Sequence, residues 1–340
     1  MSKAGFVAVI GAPNAGKSTL VNGLVGQKVA IVSPKAQTTR ARLMGIAIEG
    51  EAQILLVDTP GIFAPRRRLD RAMVAAAWTG AQDADLILLV IDAAAGVNAE
   101  VEAIIASLEQ REHPLFLALN KIDLVKKEAL LALSAGLAAR LIPDKVFMIS
   151  AAQGDGVSDL KQALAASMPE GPWLYPDDEV SDATDRMIAA ELTREQIVNQ
   201  LHQELPYATA IETETWEDRP DGSTAIRQQI LVERDSQKAI VIGKGGRRLK
   251  AIGAAAREEI AQHLGRPVHL FLHVKVNPRW DEDPTAWSSR PTDRPSPRPR
   301  IPDAAPWSKT LTRARCRTSG SRNGRGRCGI GRLTASRRDS

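Results

Sequence analysis

Apolar residues follow two different rhythms along this chain, and the change between them divides it. Up to about residue 168, strand-like apolar runs alternate with helical patterns: Phe6–Ile10, Leu43–Ile48, Gln53–Val57, Leu86–Ile91, Leu115–Leu119 and Val146–Ile149. Alternation of this kind predicts a mostly parallel sheet with helices on both faces. Two proline-bearing stretches, Pro169–Pro172 and Pro176–Glu179, interrupt it and mark a linker over 169–185. Beyond the linker the pattern predicts an amphipathic helix over Arg186–Leu205. Strands over Ala208–Trp216 and Thr224–Glu233 follow, separated by a turn at Pro220-Asp221-Gly222. A short helix over Lys238–Ile242, a longer one over Arg247–Leu264 and a strand over Pro267–Val276 complete a second domain, 186–284.

The polar residues that end the apolar runs carry the chemistry. Gly11-Ala12-Pro13-Asn14-Ala15-Gly16-Lys17-Ser18 fits the G-x-x-x-x-G-K-[ST] phosphate loop and stands between the first strand and a helix beginning near Lys17. In such a loop the backbone N–H groups of residues such as Gly11, Ala15 and Gly16 close around a phosphate, and the helix N-terminus adds favourable partial charge. Lys17 is expected to reach the β- and γ-oxygens. Ser18 is expected at the metal end, its hydroxyl ligating Mg²⁺, and Thr19 beside it is expected at the nucleotide. Asp58-Thr59-Pro60-Gly61 follows the run Ile54–Val57, so Asp58 brings a carboxylate near the metal and Gly61 offers an N–H to the γ-phosphate.

Asn120-Lys121-Ile122-Asp123 ends another run and Ser150-Ala151 a third. Asp123 can accept from guanine N1–H and from the exocyclic N2 amine, a pair that adenine lacks. Asn120 is expected at the other edge of the base, Lys121 over the ring, and an N–H near Ala151 at O6. Rejecting adenine would then rest on leaving a buried Asp123 carboxylate unpaired, which is costly. One such motif is weak evidence. Four in order, each at a strand end, imply a guanine-nucleotide site and GTP or GDP as ligand.

Overall charge misleads here. The chain carries a formal net charge of +5. Residues 286–340 hold 14 Lys+Arg, 13 of them Arg, against 3 acidic residues, whereas residues 1–285 hold 31 basic and 37 acidic ones. Any RNA affinity of the body must therefore come from a local patch. Cys316 and Cys328 both lie in the basic tail, without zinc-ligand spacing, so the body has neither a disulfide framework nor a cysteine metal site. No apolar stretch reaches the roughly 18–20 residues that span a bilayer. These features are expected of a cytoplasmic protein.

A local patch exists in the second domain. Gly243-Lys244-Gly245-Gly246-Arg247-Arg248 places a G-x-x-G loop between two helices, with strands on both sides. That is the arrangement of a KH module, whose glycines let the backbone clamp about four nucleotides of single-stranded RNA. Lys244, Arg247 and Arg248 supply positive charge for its phosphates.

With these motifs in place the chain resembles the Era-type bacterial ribosome-assembly GTPases, a Ras-like domain followed by a type II KH domain. The segments that carry the resemblance are Gly11–Ser18, Lys28–Arg40, Asp58–Gly61, Asn120–Asp123 and Ser236–Gly246, within about residues 4–283. The resemblance implies binding to small-subunit (16S) ribosomal RNA near its 3′ end and a role in 30S subunit maturation. It also implies a monomer with peripheral contact to the inner membrane. A Ras-type enzyme has glutamine after D-x-x-G to orient the attacking water. Ile62 stands there instead, so hydrolysis is expected to be slow without a partner. Asn14 resembles the asparagine that holds a K⁺ near the phosphates in related GTPases; the alternative is a loop asparagine chosen for its turn conformation. Ser33–Arg40 is expected to be the first switch, with Thr39, or Thr38 as second choice, closing on Mg²⁺.

The expected architecture is therefore a P-loop GTPase domain over 1–168, a linker, an α+β type II KH domain and a disordered Arg/Pro-rich tail over 285–340. Three accounts of the tail compete: an RNA-binding arm, an inert extension, and an out-of-frame reading of GC-rich DNA. The excess of arginine over lysine favours the last. A GTPase of transfer-RNA modification, which would embed its nucleotide domain in a larger helical scaffold, is one alternative for the whole chain. An RNA-binding module with regulatory nucleotide binding is the other.

Overall fold

Residues 1–32, 43–58, 84–109, 111–201, 205–278 and 280 are described by the structure, a computed structural model. The first sheet contains β1 (Lys3–Ile10), β2 (Leu43–Glu49), β3 (Ala52–Asp58), β4 (Leu86–Asp92), β5 (Leu115–Asn120) and β6 (Lys145–Met148) in the order β2-β3-β1-β4-β5-β6. All neighbours pair in parallel except β2 with β3.

Strand side chains alternate between two cores because the strand period is two. Val7, Val9, Leu56, Leu88 and Val90 face α1 (Lys17–Val25) and the helix Val157–Ser167. Ala8, Ile10, Leu89, Ile91 and Leu117 face α2 (Ala99–Leu108) and α3 (Lys127–Leu141). Burial on both faces explains why these strands read as continuous apolar runs rather than alternating ones. The helix Val157–Ser167 is α4.

Strand order reverses between β1 and its neighbours β3 and β4, and the loops at the strand C-terminal ends meet at that crevice. The residues expected at the nucleotide are on those loops.

The proline-bearing segment does not run free. Gln53, fully buried in β3, donates from Nε2 to the Tyr175 carbonyl (2.8 Å) and accepts at Oε1 from the Leu174 and Tyr175 N–H groups (2.8 and 3.1 Å). Farther along, the Ile46 N–H donates to the Val180 carbonyl at 2.9 Å, and Ser181 Oγ donates to the Met44 carbonyl at 2.8 Å. The segment thus closes the β2 edge, which would otherwise offer unpaired backbone groups.

It leads into α5 (Asp185–Gln200), capped by Thr184, whose side chain accepts from the Met187 N–H. This helix stops at Gln200 rather than continuing to Leu205, and a single 3₁₀ turn, Leu205–Ala208, follows the gap in the described residues. The second sheet has the order β7-β8-β9, with β7 (Thr209–Asp218) antiparallel to β8 (Thr224–Val232) and β9 (Val268–Val276) parallel to it. Between β8 and β9 come α6 (Asp235–Ile242) and α7 (Arg247–Leu264). A parallel β8–β9 pair requires a crossover, and the two helices provide it. One face of the sheet packs on α5, α6 and α7 through Ile226, Ile230, Val232, Ile252 and Ile260. Buried Thr193 donates to Gln228 Oε1 at 2.7 Å inside this core, so its polar pair is satisfied. Residues 285–340, for which the sequence predicts a disordered tail, lie outside the described residues.

Candidate nucleotide and RNA sites

The phosphate loop is shaped by backbone conformations that few residues adopt. Asn14 has φ 61°, and Gly16 has φ 92° immediately before α1. A Cβ on Gly16 would sit 2.2 Å from Asn120 Nδ2, so glycine is required there for space as well as for conformation. Asn14 is exposed, and its positive φ is the conformation in which asparagine is enriched. The turn alternative raised for this residue is thus satisfied by its backbone alone.

Lys17 is buried, and its Nζ donates to the Gly11 and Ala12 carbonyls at 3.1 and 3.0 Å. Burial lowers its pKa to about 8, against the opposing charges of Asp58 and Glu100. Ser18 Oγ donates to Asp58 Oδ2 at 2.8 Å, and both side chains are buried. A hydroxyl and a carboxylate are hard oxygen donors that fit Mg²⁺, which favours a small number of such ligands together with phosphate oxygens. Thr19 follows in the first turn of α1, half-buried. Gly61, Ile62 and the Ser33–Arg40 segment with Thr39 lie outside the described residues.

At the base end, Asn120 closes β5 and is buried. Its Nδ2 donates to the Ala15 carbonyl, and its Oδ1 accepts from the Ala151 N–H, both at 2.9 Å. The amide therefore joins the phosphate loop to the Ser150–Ala151 loop. Asn120, expected at the base edge, holds the two loops together in this geometry, and the Ala151 N–H, in the stretch where an N–H to O6 is expected, donates to it. Buried Ser150 donates its N–H to the Asp155 carbonyl at 3.0 Å, which folds that loop back on itself.

Lys121 has φ 65°, turning the chain so that Asp123 falls in the single 3₁₀ turn Ile122–Leu124. Asp123 is exposed rather than buried, so its rejection of adenine depends on the base itself covering the carboxylate. Lys121 Nζ pairs with Asp92 Oδ2 at 2.6 Å, while Asp92 Oδ1 accepts from the Ala94 and Ala95 N–H groups. Asp92 belongs to none of the sequence motifs. Its signal was the one that marks Asp58 and Asn120: a polar residue closing an apolar strand.

The second candidate site is built at the α6–α7 junction. Gly243 has φ 70°, and a Cβ there would meet Arg248 Cβ at 2.8 Å. Gly245 and Gly246 also have positive φ, and no acidic residue occupies the first turn of α7. Lys244, Arg247 and Arg248 are exposed; Arg248 Nη1 donates to the Ile240 carbonyl at 2.9 Å, fixing the loop to the end of α6. The loop presents three exposed basic side chains beside glycines in positive-φ conformations.

A phosphate loop at a strand-order reversal, with guanine-type motifs on the adjoining strand ends, defines a P-loop GTPase domain, and the fold behind it is a KH domain. The family described as 50S ribosome-binding GTPase matches residues 6–121, and the KH domain family matches residues 204–281. GTPase Era of Afipia carboxidovorans is 60% identical over 283 residues, covering 83% of this chain and 92% of that protein. GTPase Era of Rhizobium meliloti is 56% identical, covering 86% and 94%. A solved Era in complex with MgGDPNP and nucleotides 1506–1542 of 16S ribosomal RNA superposes with a TM-score of 0.80 at 38% identity, covering 84% of this chain and 97% of that one. An Aquifex aeolicus Era variant bound to GDP and AlF₄⁻ gives 0.79, with the same identity and coverage. The chain belongs to the Era family of GTPases.

Proposed function

We propose that this protein is a Mg²⁺-dependent GTPase that binds the 3′ region of 16S ribosomal RNA and acts in assembly of the 30S subunit. The observation that carries the nucleotide half is the Asn120 bridge, which ties the phosphate-binding and base-binding loops into one pocket. Lys17 exchanges its two carbonyl partners for β- and γ-phosphate oxygens. Ser18 and Asp58 would hold the ion, which would supply neutralisation of phosphate charge. Asp123 reads guanine. Thr39 and Gly61 report the γ-phosphate.

The RNA half rests on the Gly243–Gly246 geometry and on the solved Era–RNA complex. Single-stranded backbone lies along the glycines, with Lys244, Arg247 and Arg248 on its phosphates. A KH fold following the GTPase domain directly leaves no larger helical scaffold for the transfer-RNA alternative, and the intact Lys17, Ser18, Asp58 and Asp123 speak against an RNA-binding module with regulatory nucleotide binding alone. K⁺ coordinated by Asn14 would assist hydrolysis and compensate for Ile62. The protein works as a cytoplasmic monomer with peripheral contact to the inner membrane.

Calorimetry with GDP and ADP, followed by crosslinking to cellular RNA with and without a GTP analogue, tests this reading. GDP should bind far more tightly than ADP, and crosslinks should map to the 16S 3′ end. Equal affinity for the two nucleotides would overturn the guanine assignment, and crosslinks confined to other RNAs would overturn the ribosomal one. Faster hydrolysis in KCl than in NaCl, abolished in Asn14→Ala, is expected if the asparagine holds K⁺.

A further inference from the structure

Asp92 joins the turn after β4 to the base-binding motif. Its Cα pairs in register with that of Asn120 in β5, and the Ala93 N–H donates to the Asn120 carbonyl at 2.9 Å. Strand pairing thus sets Asp92 beside Lys121, the residue that follows Asn120. Asp92 Oδ1 accepts from the Ala94 and Ala95 N–H groups at 2.9 and 3.1 Å, and the Asp92 carbonyl accepts from the Gly96 N–H at 3.0 Å. These bonds close a tight turn, with Gly96 at φ 67°. They also fix the carboxylate so that Oδ2 meets Lys121 Nζ at 2.6 Å.

Lys121 is held from its other end as well. Its φ of 65° strains a residue that has a side chain, and such a conformation persists only where the surroundings impose it. Its carbonyl accepts from the Leu124 N–H at 3.0 Å, and the next residue, Ile122, donates its N–H to the Ile149 carbonyl at 3.3 Å. The backbone therefore fixes where the side chain leaves the chain, and Asp92 fixes where it ends. Both members of the pair are partly exposed, Lys121 at 32% and Asp92 at 20%. An ion pair at that exposure adds little to stability. What it supplies is order. A lysine carries its ammonium on a flexible four-carbon stem, and freezing that stem when a ligand arrives costs affinity. A partner that holds it beforehand removes the cost.

We propose that Asp92 is a positioning residue for the base: by holding the Lys121 ammonium it lays the lysine stem across the place of the purine ring before the nucleotide arrives. The inference rests on the guanine-nucleotide function proposed above and divides the work within it. Asp123 reads the hydrogen-bonding edge of guanine and so sets which base is chosen. Lys121, anchored on Asp92, covers the face of the ring, which all purines share, and so sets how tightly an accepted base is held. Loss of the anchor should speed release more than it slows capture, because affinity differences among variants of one site lie mostly in the dissociation rate.

The test is calorimetry and stopped-flow release on the full chain, with GDP and with IDP, whose base lacks only the exocyclic amine. Asp92→Asn keeps an oxygen for the Ala94 and Ala95 N–H groups but turns an amide towards the ammonium. It should weaken GDP and IDP alike by about three- to tenfold, mostly through faster release, and keep their affinity ratio within about twofold of wild type. Lys121→Met, which retains an unbranched apolar stem without the ammonium, should lose at least as much GDP affinity as Asp92→Asn. In the Lys121→Met background Asp92→Asn should then change GDP affinity by less than about twofold. A merely structural role would not give that result, since a damaged turn weakens binding in both backgrounds. An equal fall in both backgrounds therefore overturns the proposal, and so does wild-type affinity in either single variant. A GDP-to-IDP ratio changed by Asp92→Asn would place its effect at the base edge and overturn it as well. Failure of the wild type to prefer GDP over ADP would instead refute the function on which the inference rests.

Discussion

Asn120 Nδ2 lies 2.9 Å from the Ala15 carbonyl, and the space between them is the space in which a Gly16 side chain would have to fit. The strand-end asparagine and the glycine of the phosphate loop are thus one constraint seen from two positions. A Cβ on Gly16 clashes with the amide and forces a residue with a side chain to φ 92°, a strain of about 1–3 kcal/mol before any repacking. Gly16→Ala should therefore lower GDP affinity at least about tenfold. Asn120→Ala should do likewise, because it strands the Ala15 carbonyl and the Ala151 N–H at about 1–3 kcal/mol each. The double variant should lose less than the sum of the two single losses, since Asn120→Ala removes the atom that Gly16→Ala strikes. Additive losses by calorimetry would show that the two residues act independently.

Lys17 makes nucleotide binding depend on pH. Burial lowers its pKa from 10.5 to about 8 in the folded protein, while in the unfolded chain the group keeps its ordinary value. Between those values the unfolded state holds the extra proton, so the contribution of this group to stability rises with pH across the window. It is complete above the unfolded value and lost as pH falls through about 8. Diphosphate favours the charged ammonium, so GDP binding near pH 9 should take up protons and binding near pH 7 should take up few. Calorimetry in buffers of different ionisation enthalpy measures this directly. Lys17→Met should abolish the uptake, and identical uptake at both pH values would contradict the assignment.

Asp123 is exposed at the mouth of the pocket, where only a bound base can desolvate it. Asp123→Asn exchanges an acceptor for a donor towards guanine N1–H. GDP affinity should fall by about 100-fold or more, and XDP, which offers the complementary group, should become the preferred diphosphate. Preference for GDP over XDP in the variant would remove Asp123 from base recognition.

Lys244 and Gly245 are exposed, and a Cβ on Gly245 meets no atom within 4 Å, so their replacement clashes with neither neighbouring helix, and the strain of a side chain at φ 61° stays within the loop. Their joint replacement by Asp should weaken binding to a 3′-end 16S oligonucleotide. The salt slope should fall by about 0.7, since one RNA phosphate is no longer neutralised by Lys244. GDP affinity should remain. Truncation after Pro284 should leave the specific RNA affinity nearly unchanged and remove only sequence-independent, salt-sensitive binding by the tail arginines. A truncated protein that keeps its KH fold but loses specific binding would make the tail a functional RNA arm and reject the out-of-frame account.

The nucleotide chemistry and both sheets were legible in the chain itself, because each depends on local order. Apolar runs buried on two faces fall in the rhythm that covered strands produce. Gly11–Ser18 and Gly243–Gly246 are contiguous loops whose shape lies in their own backbone, so their spacing is their signature. What sequence could not supply were pairings between residues far apart in the chain: Asn120 with Ala15, Lys121 with Asp92, Gln53 with Tyr175, Lys28 with Glu195 and Glu259. No periodicity records them, since a side-chain pairing across some 30 to 230 positions leaves no local pattern. Tertiary structure also decided that α5 stops at Gln200, where an amphipathic pattern continued, and that the proline-bearing linker is bonded to the β2 edge. Packing and hydrogen bonding to distant partners outweigh local propensity at such places, and there the chain alone underdetermines its own fold.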